Sequence, residues 1–112
     1  MALEKIVQDQ VIAYNSRDIE KFAACYAEDI QIFALPLVQP TLVGKKAFTD
    51  LYTPMFEKSV NLHAKILSRQ VHGSFVVDEE QVSGIHSRSE PVRCCAIYQV
   101  VNGLIQNVWF VG

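Results

Sequence analysis

Apolar residues in the first half of the chain recur every three or four positions, which is the spacing of amphipathic helices. A first helix is predicted from residue 3 to about residue 15, and Gln10 is the polar residue inside its apolar stripe. Asp18 is suited to cap a second helix, which the pattern extends to Glu28 and Asp29. The stripe of the first helix consists of Leu3, Ile6, Val7, Val11 and Tyr14, and that of the second of Ile19, Phe22, Ala23 and Tyr26.

A short apolar segment separates the second helix from a third. Residues 30–35 predict a strand, and Pro36 and Pro40 bound an irregular loop that follows it. The third helix is predicted to begin after Gly44. Pro54 is expected to kink or end it, because proline lacks a backbone donor and its ring clashes with the preceding turn. The core positions of this helix are Phe48, Leu51, Tyr52 and Met55.

From Leu62 onward the apolar pattern changes to a period of two, which is typical of strands. Asn102-Gly103 is a strong hairpin signal, and Gly73 and the polar segment 83–91 mark two further connections. The predicted strands are Leu62–Val71, Ser74–Val82, Val92–Val101 and Leu104–Val111. Three helices followed by a four-stranded antiparallel meander indicate an α+β domain with its helices on one sheet face. Because linker-like segments are absent, residues 1–112 are predicted to form a single domain.

Composition and charge exclude several classes of function. Half of the residues are hydrophobic, a fifth are charged and the formal net charge is −2, as in soluble globular proteins. The scattered basic residues offer no footprint for nucleic acid, and no apolar run approaches the roughly 20 residues that span a bilayer. The first ten residues lack the apolar run of a signal peptide. We therefore expect a cytoplasmic protein with neither nucleic acid nor membrane as a partner.

The cysteines and histidines offer little catalytic or metal-binding pattern. Cys94 and Cys95 are neighbours on a predicted strand and point to opposite faces, so they are poorly placed to form a disulfide. With Cys25 they are interpreted as reduced, mostly buried thiols, although a nucleophilic Cys25 is an alternative. His63 and His72 also fall on opposite faces, and His63 is interpreted as an outward residue, with a pocket acid-base role as the minor alternative. No metal site and no cofactor is expected.

Three segments together resemble a known superfamily. "YNSRDIEKFAACYAEDIQIFALP", "GKKAFTDLYTPMF" and "VVNGLIQNVWF" are similar to the nuclear transport factor 2-like superfamily, and within it to small SnoaL-like, steroid delta-isomerase-like domains. The resemblance implies a cystatin-like cone in which a curved, mostly antiparallel sheet wraps three N-terminal helices around a deep apolar pocket. It also implies a homodimer packed through the outer sheet face.

The carboxylates that ketosteroid isomerases of this superfamily use have no counterpart in the matching segments. The resemblance places the general base near Ala34 or Leu35 and the oxyanion-binding aspartate near Ala96 or Ile97. Residues 91–112 contain no acid at all. We therefore expect no isomerase activity by that carboxylate layout. Another acidic run, Asp78-Glu79-Glu80, is interpreted as a solvated strand end.

The pocket that the resemblance implies keeps uncharged polar residues that could bind a ligand. Gln10 falls where isomerases keep a tyrosine donor, and Tyr52 matches the supporting tyrosine of the third helix and is a potential partner for the Gln10 amide. No catalytic residue is assigned. The predicted ligand-binding residues are Gln10, Tyr14, Tyr52, Phe56, Tyr98 and Trp109.

These observations favour a domain that binds a small hydrophobic molecule in an apolar pocket and lacks the isomerase carboxylates. One alternative is an enzyme of isomerase, cyclase or dehydratase type, which would act on a steroid- or polyketide-like substrate through a neutral Tyr, Gln and His constellation. A second alternative is a dimeric scaffold module whose pocket is filled by its own side chains.

Overall fold

The computed structural model describes residues 3–112, which form three helices and one six-stranded sheet. The helices are α1 (Glu4–Asn15), α2 (Ile19–Ala24) and α3 (Lys45–Lys58). The strands are β1 (Tyr26–Ala34), β2 (Leu42–Val43), β3 (His63–His72), β4 (Phe75–Ser83), β5 (Val92–Val101) and β6 (Leu104–Val111). The predicted α+β arrangement, with helices packed on a curved and mostly antiparallel sheet, is confirmed.

The strands lie in the order β2-β1-β6-β5-β4-β3. The predicted meander of β3 to β6 is present, and β1 extends the sheet by pairing in parallel with β6. Asn102 and Gly103, which connect β5 to β6, have φ of 52° and 80°, as a two-residue hairpin turn of type I′ requires. The two-residue β2 was not predicted, because a strand this short carries no periodic signal.

The second helix is shorter than the sequence pattern indicated. It ends at Ala24, and Tyr26 already belongs to β1, so the predicted continuation to Glu28 and Asp29 is wrong. Pairing with β6 decides the boundary, because Tyr26 lies opposite Ile105 and the Ile105 amide donates to the Cys25 carbonyl at 2.9 Å. Tyr26 is buried in β1, and an apolar residue at this position also fits the inward stripe of a longer helix, so the apolar pattern does not fix the boundary.

The third helix begins after Gly44 as predicted but passes through Pro54 and ends at Lys58. The carbonyl that loses its partner belongs to Asp50, which is exposed like Pro54 itself, so water can replace the missing hydrogen bond. The helix therefore does not end at the proline. Leu51, expected in the core, is 55% exposed.

The acidic run on β4 is not a solvated strand end, which corrects the interpretation from the sequence. Asp78 is 0% exposed and Glu80 is 8% exposed, whereas Glu79 between them points to the other sheet face. The reason is that β4 lies between β3 and β5, and its alternation places Val76, Asp78, Glu80 and Val82 on the face that the helices cover.

Two further findings concern membrane-spanning helices and metal-binding groups of side chains. No helix within residues 3–112 is long and apolar enough to cross a membrane. In the same part of the chain, no group of three or more His, Cys, Asp or Glu side chains could hold a metal ion. The cytoplasmic location stays a prediction.

Candidate functional site

A cavity of about 270 Å³ lies between the three helices and the inner face of the sheet. Asn15 fixes the end of α1 against β3 beside this cavity, because its side chain accepts from the Ala64 amide at 2.7 Å and donates to the Ala64 carbonyl at 3.1 Å. The wall is mostly apolar. It is formed by Gln10, Val11, Tyr14, Phe22, Tyr26, Leu51, Tyr52, Met55, Ala64, Glu80, Val82, Ile85, Val92, Cys94, Tyr98 and Phe110.

Four of the six predicted ligand-binding residues lie in the cavity wall. Gln10 and Tyr14 come from α1, Tyr52 from α3 and Tyr98 from β5. The helical stripe and the strand alternation direct these side chains to one cavity. Whether they bind a ligand stays a prediction.

The other two predicted residues lie outside the wall. Phe56 is buried behind it, with its ring centroid 5.4 Å from that of Tyr14. Trp109 lies on the opposite face of the sheet, where its ring stacks on Phe33 at 5.3 Å. Its expected place in the pocket is wrong, because the alternation of β6 directs Phe110 inward and Trp109 outward.

Gln10 connects two buried tyrosines by a directed chain of hydrogen bonds. The Tyr26 hydroxyl donates to Gln10 Oε1 at 2.9 Å, and Gln10 Nε2 donates to the Tyr98 hydroxyl oxygen at 3.2 Å. Tyr52, the expected partner, makes no such bond in the described chain. Since the Tyr98 oxygen accepts, its own hydrogen stays available to a molecule in the cavity.

Glu80 is the only carboxyl group in the cavity wall formed by residues 3–112. Its Oε1 accepts from the Cys94 thiol at 3.6 Å, while its Oε2 has no hydrogen-bond partner among the described side chains. Burial raises the pKa of Glu80 to about 7. The hydrogen bond from Cys94 lowers this pKa, and the charge of Asp78 raises it further. Near neutral pH this carboxyl group can therefore either donate or accept a proton.

The other titratable groups of the wall stay protonated. Burial, followed by the charges of nearby groups including Glu80, raises the pKa of Tyr14, Tyr52 and Tyr98 above the ordinary value. Burial also raises the pKa of the Cys94 thiol to about 12. The tyrosines are consequently neutral hydrogen-bond donors, and Cys94 is a neutral donor to Glu80 rather than a thiolate nucleophile.

Asp78, the second buried acid of β4, is neutralised by a close ion pair. Arg69 Nε lies 2.7 Å from Asp78 Oδ1, and Arg69 Nη2 lies 2.8 Å from Oδ2. The remaining nitrogen, Nη1, donates to Gln8 Oε1 at 2.8 Å. Asp78 thus has a cation for both oxygens, whereas the Oε2 of Glu80 has none.

The sequence contained a signal for Glu80. Val76, Asp78, Glu80 and Val82 share one strand face, and two valines at that spacing indicate a buried face. The interpretation of Asp78, Glu79 and Glu80 as one solvated run did not take into account that neighbouring residues of a strand point to opposite faces. The histidines match their interpretation more closely, since His63 is exposed and outside the cavity wall.

The comparison with family models decides the classification. A model described as SnoaL-like domain matches residues 7–108. The chain belongs to the SnoaL-like domain family. Among proteins with curated descriptions, none matches this SnoaL-like domain.

Solved structures show the same fold at low sequence identity. A cystatin fold protein from Novosphingobium aromaticivorans has a TM-score of 0.87 and 21% identity, covering 100% of this chain and 99% of that one. A nuclear transport factor 2-like protein from Cytophaga hutchinsonii has a TM-score of 0.80 and 10% identity, covering 98% and 88%. An LEH-like epoxide hydrolase from M. tuberculosis has a TM-score of 0.81 and 16% identity, covering 97% and 80%. The cystatin-like, nuclear transport factor 2-like fold is therefore confirmed.

Proposed function

We propose that the cavity of this SnoaL-like domain binds a small, largely apolar molecule that carries one polar group. The observation that supports the proposal is the enclosed carboxyl group of Glu80, whose Oε2 lacks a protein partner in a mostly apolar cavity. None of the buried side-chain oxygens and nitrogens of the described residues lacks a hydrogen-bond partner, so this Oε2 is accessible from the cavity. A bound molecule that donates to it there gains a charge-assisted hydrogen bond.

The size of the cavity sets the size of the ligand. An engineered apolar cavity of about 150 Å³ in another protein binds benzene. The cavity here, at about 270 Å³, has room for one ring with a short chain or for two fused rings. The polar group of the ligand then meets Glu80 and the hydroxyls of Tyr14, Tyr52 and Tyr98.

Thermal shift with single-ring, steroid-like and polyketide-like compounds tests this function. We expect a subset to raise the Tm of the wild type, and Ala64→Leu to remove that increase because the larger side chain fills the cavity. Ala47→Leu on the exposed face of α3 is the matched control and should keep the increase. If no compound stabilises the wild type, the scaffold alternative replaces this proposal.

A second candidate function is catalysis of proton transfer, and Glu80 is the observation that favours it. A carboxyl group with a pKa of about 7 suits general acid-base chemistry at neutral pH, which contributes roughly 10²- to 10⁴-fold. Glu80 lies on β4 opposite Cys94, whereas the resemblance places the isomerase acids near Ala34 on β1 and Ala96 on β5, so this would not be the ketosteroid isomerase layout. For any compound that binds and is converted, Glu80→Gln should lower kcat at least about a hundredfold. Conversion at an unchanged rate in Glu80→Gln would exclude Glu80 as the acid-base group.

A further inference from the structure

We propose that the molecule bound in the cavity is a small hydrophobic amine, recognised as an ammonium ion by Glu80 and the surrounding aromatic rings. This inference rests on the proposed function, since it names the chemical class of the ligand. Three features of the cavity lead to it: the sign of its charge, the rings around that charge and the open carboxylate oxygen.

The described cavity wall contains one acid and no Lys, Arg or His side chain. Arg69 is the cation close enough to influence Glu80, but its nitrogens are bonded to Asp78 and Gln8. An anionic ligand would therefore meet an uncompensated carboxylate and be repelled. A cationic ligand would supply the charge that Glu80 lacks.

Aromatic rings surround the same space. The ring centroids of Tyr14 and Tyr52 are 6.5 Å apart, and Phe22 lies 5.7 Å from Tyr14 and 5.0 Å from Tyr52. Ring faces attract a cation, most strongly when water is excluded. The hydroxyl oxygens of Tyr14 and Tyr52, which have no bonds to other described residues, can also accept from an ammonium group.

The charge of Glu80 acts directly on this aromatic group. Glu80 lines the same cavity as Tyr14, Tyr52 and Tyr98, and its charge contributes to the raised pKa of these three hydroxyls. Glu80 is buried, its Oε2 has no partner among the described side chains, and aromatic side chains line the same cavity, which is the combination that ammonium recognition uses. A neutral ketone or alcohol would leave the ionised carboxylate without a counter-charge.

The pH dependence of binding distinguishes an amine from a neutral ligand. The titratable or charged groups that interact with Glu80 from the elements packed around it are Tyr14, Tyr26, Tyr52, Arg69, Asp78, Cys94 and Tyr98. Since Glu80 titrates near pH 7, an ammonium ion should bind more tightly as pH rises from 6 to 8 and should displace a proton. A ligand that accepts a hydrogen bond from protonated Glu80 should bind more weakly over the same range.

Titration calorimetry with two probes tests the inference. 3-Phenylpropylamine and 3-phenylpropan-1-ol have nearly the same shape and differ in charge. At pH 8 we expect the amine to bind the wild type about tenfold or more tightly than the alcohol, and at pH 6, where Glu80 is mostly protonated, binding of the amine should release a proton. Glu80→Gln should abolish this preference, whereas Glu79→Gln should keep it, because Glu79 carries the same charge on the outward face of the same strand.

Equal affinity of the two probes, or a preference that survives Glu80→Gln, would overturn the amine inference. Binding of the alcohol in that case would leave the proposed function standing. If neither probe binds and no compound of the thermal-shift panel does, both proposals fail. Should Glu80→Gln not fold, the sign of the pH dependence in the wild type decides the question.

Discussion

Glu80 combines a buried position with an open oxygen, and the energetic consequence can be measured without any ligand. The folded pKa of about 7 lies above the ordinary value of 4.5 because burial disfavours the ionised form. Between these two values the folded protein holds a proton that the unfolded chain has released. The free energy of unfolding therefore falls as pH rises from about 4.5 to about 7 and levels off above that range.

Glu80→Gln should remove this loss of stability. We expect the variant to gain on the order of 3 kcal/mol relative to the wild type between pH 4.5 and pH 8, because each pKa unit corresponds to about 1.4 kcal/mol. Urea unfolding at several pH values measures the difference. Glu79→Gln is the control and should show no comparable trend; a constant difference between Glu80→Gln and wild type across pH would contradict the prediction.

The sequence indicated that Gln10 is buried, but it did not indicate which residues form hydrogen bonds with Gln10. A polar residue in an apolar stripe points inward, but the two tyrosines that it joins come from β1 and β5. Neither strand's register relative to α1 can be derived from a single sequence. The family resemblance suggested Tyr52, which lies in the same cavity wall on α3 but whose hydroxyl makes no hydrogen bond within the described chain.

Gln10→Leu should cost stability as well as binding. The substitution removes the partner of the buried Tyr26 and Tyr98 hydroxyls, and each group left unpaired costs about 1–3 kcal/mol. We expect the free energy of unfolding to fall by roughly 2–6 kcal/mol, measured by urea unfolding, and ketone-bearing ligands to lose their binding. Gln8→Leu, on the exposed face of the same helix, should change stability less; equal losses would show that the buried hydrogen bonds contribute little.

For the helices and strands, the sequence predicted the features that local residue patterns determine and missed those that strand pairing determines. The cap of α2 at Asp18 is confirmed, since its side chain accepts from the Lys21 amide at 3.1 Å. The end of α2 was missed because the pairing of β1 with β6 draws Tyr26 into the sheet. The alternation of β4 indicates the face on which Glu80 lies, but the burial of that face also depends on the place of β4 between β5 and β3, which pairing determines.

Two glycines allow a test of how tightly the elements meet. Gly84, after β4, has φ of 78°, and a Cβ there would overlap the backbone carbonyl of Asn61, after α3. Gly73, in the β3–β4 turn, has φ of 59° and open space around it. Both positions favour glycine, but only Gly84 also has a steric reason.

Gly84→Ala should therefore destabilise more than Gly73→Ala. We expect a loss of about 1–2 kcal/mol for Gly73→Ala from its left-handed backbone alone. For Gly84→Ala we expect about 2–5 kcal/mol, since overpacking adds about 1–3 kcal/mol. Thermal unfolding of both variants compares them directly, and equal losses would mean that the segment after α3 moves aside freely.

For the whole molecule, the outer sheet face is the surface that the helices leave uncovered. The alternation places Phe33, Phe75, Ile97 and Trp109 there, with Trp109 stacked on Phe33 and 6.0 Å from Phe75. Cys95 and Gln99 share this face. A row of this kind is more apolar than the surface of most monomers, which is why we propose a homodimer through it.

Ile97→Lys should convert the proposed dimer into a monomer. Ile97 lies between Val77 and Trp109 in the sheet register, so a charge there would be buried in the interface. Sedimentation at micromolar concentration should show a dimer for the wild type and a monomer for the variant. Ile12→Lys, at a residue 55% exposed on α1, should stay dimeric, and a monomeric wild type would refute the proposal.

The parallel pairing of β1 with β6 also sets an order on folding during synthesis. β1 leaves the ribosome early, but its neighbour β6 follows only after α3 and four more strands have been made. Until then one long edge of β1 has no hydrogen-bonding partner and is open to pairing with other chains. The sheet is therefore completed only by the late, long-range pairing of β1 with β6. A chain truncated before β6 is expected to aggregate.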